Sequence, residues 1–171
     1  MKKRFCLIFI LMVAMLCIGG CSKEENKVKR VIKKYQEAIN DGKLEQADSY
    51  CRMSDGKNGT WFYSSLVENK EDPVFFVAVR EISLEKFEIK IDSVSIDGDE
   101  AIVNVKITAV NYGAFTHSLL QNYTVEQLFD GRVDDCKKLI QKDVGDYIVE
   151  FDSKIICKRI DNQWKITEYA E

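Results

Sequence analysis

Few residues in this 171-residue chain could do chemistry: one histidine, six cysteines and the ordinary acids and bases. Cys21 stands directly after Gly19 and Gly20, at the end of an apolar run. A thiol there can become a thioether, and the two glycines let a processing enzyme approach the backbone closely. His117 lies in the polar stretch GAFTHS. An imidazole titrates near neutrality and can act as a general base, although a lone histidine in a polar stretch is more often simply solvated. Metal sites need convergent His, Cys, Asp or Glu at characteristic spacing, and none is visible. Asp97-Gly98-Asp99-Glu100 lacks the alternate oxygen ligands of a calcium loop. With no phosphate-cradling glycine loop, HExxH or GxSxG either, neither a metal nor a cofactor is expected.

The elements around Cys21 explain its position. Lys2, Lys3 and Arg4 precede an apolar run from Phe5 to Ile18. That run is shorter than the ~20 residues a membrane-spanning helix needs and matches the core of a signal peptide. Ile18-Gly19-Gly20-Cys21 resembles the lipobox of bacterial lipoproteins. The resemblance implies diacylglyceryl transfer to Cys21 and cleavage between Gly20 and Cys21, so that residues 1–20 form the leader. It also implies an extracytoplasmic protein, lipid-anchored on the outer face of a Gram-positive membrane. Two acyl chains anchor stably where one binds only marginally. Residues 21–27 then read as lipidated cysteine and short polar tether, and 28–171 as a single domain.

All 28 acidic residues follow Cys21, whereas three of the 25 basic ones leave with the leader, taking the net charge from −3 to −6. An acidic domain without a basic cluster excludes nucleic acid as an expected partner and leaves membrane attachment to the acyl chains. Cys51, Cys136 and Cys157 remain, an odd number for an exported chain, which requires an unpaired thiol or a bond between chains. Cys51 and Cys157 occupy apolar positions, and no spacing resembles a disulfide scaffold or zinc knuckle, so three buried thiols are expected.

Val28, Val31, Ile32, Tyr35, Ala38 and Ile39 form one stripe of a helix that Asp41-Gly42 should end. Leu44, Ala47 and Cys51 suggest a second, short helix. Residues 53–60 (MSDGKNGT) read as a loop. Asp72-Pro73 is a helix start, yet VFFVAV after it is rich in β-formers, so this stretch admits both readings. From Lys86 the period becomes two. Phe87, Ile89 and Ile91 alternate, then Val94 and Ile96 fall out of phase, predicting a bulge near Asp92-Ser93. Asp97-Gly98 predicts a hairpin, returning with Ala101, Val103, Val105, Ile107 and Ala109 on one face. After Tyr112 the period is helical, with a capping box at Thr124–Gln127. Tyr147, Val149, Phe151, Ile155 and Cys157 then alternate inward, Asp161-Asn162 turns the chain, and Trp164 and Ile166 close it. The expected class is α+β: N-terminal helices on a curved antiparallel sheet of about four strands, with a helical insertion between strands two and three.

Two stretches, VIKKYQEAINDGKLEQADSYC and KIICKRIDNQWKI, resemble the nuclear-transport-factor-2-like (ketosteroid-isomerase-like) superfamily. The likeness covers roughly residues 28–52 and 86–169. It implies a cavity between curved sheet and helices, which the insert would lid or fill. Tyr35, Tyr147, Phe151 and Trp164 could line such a cavity or fill the core. The inward strand faces are almost wholly apolar, while Glu88, Asp92, Glu150 and Asp152 fall on the opposite phase. The expectation is a non-catalytic, surface-tethered module binding a small apolar ligand, a peptide or an envelope protein. The alternatives are an isomerase or dehydratase using His117 with a cavity acid, and a structural interaction domain with a filled pocket.

Overall fold

The computed structural model of the chain describes residues 23–53 and 72–170. The leader, Gly20 and Cys21 lie outside the described residues, as does most of the expected 53–60 loop. A helix runs through residues 23–40 (α1), followed by Leu44–Ser49 (α2) and Val74–Glu85 (α3). Strands Glu88–Asp97 (β1) and Glu100–Val110 (β2) come next. The insertion comprises Tyr112–Asn122 (α4), Val125–Phe129 (α5), Val133–Ile140 (α6) and a 3₁₀ segment, Gln141–Tyr147. Ile148–Ile160 (β3) and Gln163–Ala170 (β4) finish the chain. The strands form one antiparallel meander in the order β1-β2-β3-β4, so the fold is α+β as expected. Among the described residues no helix is long and apolar enough to cross a membrane.

The stripe on α1 docks on one face of the sheet. Val28, Ile32, Tyr35, Ala38 and Ile39 are buried, and so are Ala101, Val103, Val105, Ile107 and Ala109 of β2. Ile155, Cys157, Trp164 and Ile166 complete this core from β3 and β4. At ~1.5–3 kcal/mol for each large apolar side chain, docking of the stripe is worth on the order of 10 kcal/mol before the chain entropy it opposes. Polar side chains fix the angle at the far end of α1. The Gln36 side-chain oxygen accepts from the Ile89 N–H at 3.0 Å. The Asn40 amide donates to the carbonyls of Leu84 (2.6 Å) and Phe87 (2.8 Å).

The turns follow local chemistry, with one shift. The β1 register breaks between Ile91 and Ser93, which leaves Asp92 as the expected bulge. In the first hairpin Asp97 pairs with Glu100, so the two central residues are Gly98 and Asp99 rather than Asp97 and Gly98. Gly98 takes φ +58 at the first central position, where a side chain would be strained. In the second hairpin Asp161 and Asn162 both have positive φ, the condition of a type I′ turn. A second bulge between Ile156 and Cys157 is closed by Thr167, whose hydroxyl donates to the Ile156 carbonyl at 3.3 Å.

The stretch after Asp72-Pro73 is helical throughout. Phe75, Ala78, Val79 and Ile82 share one buried face, and this burial at helical spacing outweighs the β preference of the individual residues. Pro73 itself occupies the cap position, and the Asp72 carboxylate reaches Arg80 at 2.8 Å instead of capping. The insertion packs on α3 as a second apolar cluster of Phe115, Leu119, Leu128, Cys136 and Ile140, joined to the first through Tyr112. The capping box at Thr124–Gln127 is formed as expected.

Two expectations need correction. Residues 23–27 are not a tether, because helix α1 already runs through them and Glu24 is bound to the sheet. Val149 shares the inward face with its partner Ala109, as its phase predicts, but it is not part of the buried core: it is 39% exposed. Ile32→Ala should lower unfolding free energy by about 2–5 kcal/mol, the usual cost of emptying a buried isoleucine site. Urea denaturation followed by circular dichroism measures this, and a loss below about 0.5 kcal/mol would mean that α1 is not docked as described.

Candidate functional site

Tyr35 and Trp164 are buried at 1% and 4% exposure in the main core, and Phe151 packs at its margin. Tyr147 belongs to the second cluster, where its hydroxyl donates to Ser118 Oγ at 2.5 Å. The structure therefore does not gather these four aromatics around one cavity. The space between α1 and the sheet is occupied by side chains of the chain itself.

Within that core, Tyr35, Tyr169, Cys51 and Cys157 form a protic patch in apolar surroundings. The Tyr35 and Tyr169 rings lie 6.3 Å apart. Cys51 bridges Ile166 from one side, while Cys157 pairs with Ile166 from the other. Two strand spacings thus separate the cysteines, ~10 Å, beyond the ~7 Å that a disulfide tolerates. All three thiols are free; Cys136 and Cys157 are buried, but Cys51 is only partly so. Burial pushes both the Cys51 and the Cys157 thiol up to about 12, which holds them protonated and unreactive.

A recess lies outside this core. A cleft of about 810 Å³ opens between the α1–α2 turn and α3, lined by Asn40, Lys43, Gln46, Arg80, Glu81 and Glu85 among others. Arg80 is its most buried charge, 8% exposed, and is held by Asp72. Lys137 of α6 spans Glu81 (3.1 Å) and Glu85 (2.6 Å) on the same helix. The Asp41-Gly42 turn shapes one wall, with Gly42 at φ +69. Amides and charges of both signs share this lining with Leu44, Val77 and Leu84, so the cleft offers hydrogen bonds and apolar contact side by side, a mixture that suits a peptide segment. The sequence reading missed this cleft. Its two walls lie some forty positions apart in the chain, and each taken alone looks like an ordinary solvated face.

His117 is exposed on α4, with a ring nitrogen 3.0 Å from the Gln121 amide. Among the described residues, no carboxylate is hydrogen-bonded to it. The neighbouring depression, about 390 Å³, is polar and lined by Ser118, Tyr123, Lys142, Asp143 and Tyr147 among others. Tyr123 donates to Asp143 at 2.5 Å, and that bond pushes the phenol up to about 12. Glu88, Asp92, Glu150 and Asp152 are all exposed, on the phase opposite the core. Among the described residues no group of His, Cys, Asp or Glu could hold a metal ion.

No family model and no curated protein matches this chain. Among solved structures, it is similar to an NTF-2-like protein of unknown function from Shewanella oneidensis MR-1. The identity is 15%, over 85% of this chain and 96% of that one, with a TM-score of 0.48. It is also similar to a protein described as a candidate ketosteroid isomerase from Shewanella frigidimarina NCIMB 400. There the identity is again 15%, over 84% of this chain and 92% of that one, with a TM-score of 0.41. The α+β architecture rests on the strands and helices described above, independently of either likeness.

Asp72→Asn should destabilise the protein by about 1–3 kcal/mol, because it withdraws the carboxylate from a buried guanidinium. Urea melts measure it, and an unchanged midpoint would show that Arg80 is not held there. The thiols set an alkaline limit. Their folded values lie above the ordinary value of 9.0, so their contribution to stability is complete below pH 9 and is lost as pH rises through about 12. Cys51→Ala with Cys157→Ala should remove the thiols' share of the alkaline loss read by circular dichroism, while the buried Tyr35 and Tyr169 phenols, raised by the same burial, keep theirs.

Proposed function

We propose that the protein is a lipid-anchored, extracytoplasmic binding module that acts by holding a polar peptide or protein segment, without catalysis. The anchor part rests on Cys21 and its leader. The binding part rests on one observation: buried side chains of the chain itself pack the main core, whereas an open cleft beside α3 carries amides and paired charges interleaved with Leu44, Val77 and Leu84. An aliphatic small molecule would strip water from Lys43, Glu81 and Glu85 without replacing their hydrogen bonds, at a cost of a few kcal/mol for each buried group. A peptide backbone offers both donors and acceptors to the same walls. The placement of His117 beside an amide, and of the sheet carboxylates on the outer face, supports binding over proton transfer.

Metabolic labelling with a fatty acid should mark the wild-type chain and not Cys21→Ala; an unlabelled wild type would remove the anchor. For binding, a photo-crosslinking amino acid at Gln46, inside the cleft, should capture a discrete polypeptide in the host. The same group at Lys106, on the outer sheet face, should not. Equal capture at both positions, or a small molecule alone retained in native mass spectra, would overturn the peptide reading.

A further inference from the structure

The domain has two distinct ends, and α1 connects them. At its start, Glu24 accepts from Trp164 Nε1 and Arg159 Nη2, both at 2.9 Å, and pairs with Lys27 at 2.7 Å. Arg159 also stacks over the Trp164 ring at 5.0 Å and reaches Asp99 at 3.5 Å. The start of α1 is thereby clamped to the end of the sheet where both hairpins turn, at Gly98–Asp99 and Asp161–Asn162. At its other end, Asn40 is bound to Leu84 and Phe87, beside the cleft and the helical insertion.

Cys21 precedes Lys23 by two residues. At ~3.8 Å per Cα step, the anchoring residue lies no more than ~8 Å from the first described turn of α1. We infer that the hairpin end of the sheet is the surface that meets the lipid headgroups, and that the cleft and insertion are presented away from the membrane. This rests on the lipid anchor proposed above. The clamp fixes which end of the sheet lies beside the start of α1, and the few residues back to Cys21 keep that end within reach of the headgroups. Charge contributes little to holding this end down, because Lys27, Lys158 and Arg159 are each engaged by carboxylates of the same end, which leaves the exposed Lys23 beside the anchor. The acyl chains supply the attachment, and the clamp supplies the direction. Sixteen helical steps at ~1.5 Å each separate the cleft from Glu24 by ~24 Å along α1, so an upright α1 carries the cleft that much further out. A bound partner would therefore be met outside the headgroup layer.

The test uses mature lipidated protein on phosphatidylcholine/phosphatidylglycerol vesicles containing a lipid with a nitroxide-labelled headgroup. A fluorescent amino acid is introduced at Asn162, on the second hairpin, or at Glu126, on the insertion. Both probes should sediment with the vesicles, and the Asn162 probe should be quenched severalfold more than the Glu126 probe. A flexible Gly-Ser spacer inserted between Ser22 and Lys23 should erase most of that contrast while leaving sedimentation intact. Equal quenching of the two probes on sedimenting wild-type protein would overturn the orientation but keep the anchor. Failure of the mature protein to sediment with vesicles would overturn both.

Discussion

Docking of one helix on one sheet face is the interaction on which the rest of this structure depends. Among the described residues, Val28, Ile32, Tyr35 and Ile39 are buried against the inner faces of β2, β3 and β4, and no other helix of comparable length lies there. A four-stranded meander with one bare apolar face would not persist in water. Because α1 crosses the sheet from hairpin end to insertion end, it also determines where the molecule's polar features lie. Glu24 is carried to Arg159 and Trp164, and Asn40 to the mouth of the cleft.

Close filling of that interface has a functional consequence. Residues able to line a cavity, Tyr35 and Trp164 foremost, are instead consumed in packing, and the protic patch they adjoin holds its thiols protonated. Two recesses among the described residues are peripheral to that core: the cleft beside α3 and the depression beside α4. The insertion lines the depression and not the cleft, and apart from Tyr112 its apolar residues are spent against α3 and Val110. Its Lys137 nevertheless ties α6 to Glu81 and Glu85, so one ionic contact links the insertion to the wall of the cleft.

Ion pairs divide the same way. Those on the exposed α1 surface, such as Lys29–Glu25 at 2.6 Å and Lys33–Glu37 at 3.7 Å, are worth little in water. Asp72–Arg80 and Glu24–Arg159 matter more, because each joins segments that chain connectivity leaves apart or to which burial denies water. Lys27, Trp164 and Arg159 together hold the Glu24 carboxyl below its usual range, so this clamp persists until acid protonates it.

Much of the architecture was legible from local pattern alone. The α1 stripe, the period-two runs of β1 and β2, the Asp92 bulge, the Asp161-Asn162 turn and the Thr124–Gln127 capping box all depend on near neighbours, and periodicity reports near neighbours well. Leader and anchor are likewise expectations of sequence, carried by Cys21 and the run before it. Tertiary structure decided whatever depends on residues far apart in the chain. It made a helix of VFFVAV because a second apolar cluster was waiting for that face, and it drew residues 23–27 into α1 because Arg159 and Trp164 bind Glu24. It also turned aromatics that could have lined a pocket into core, and built the cleft from two walls with unremarkable sequences. The physical reason is the same throughout: spacing along a chain dictates which side chains share a face, but only the packed fold determines what that face meets.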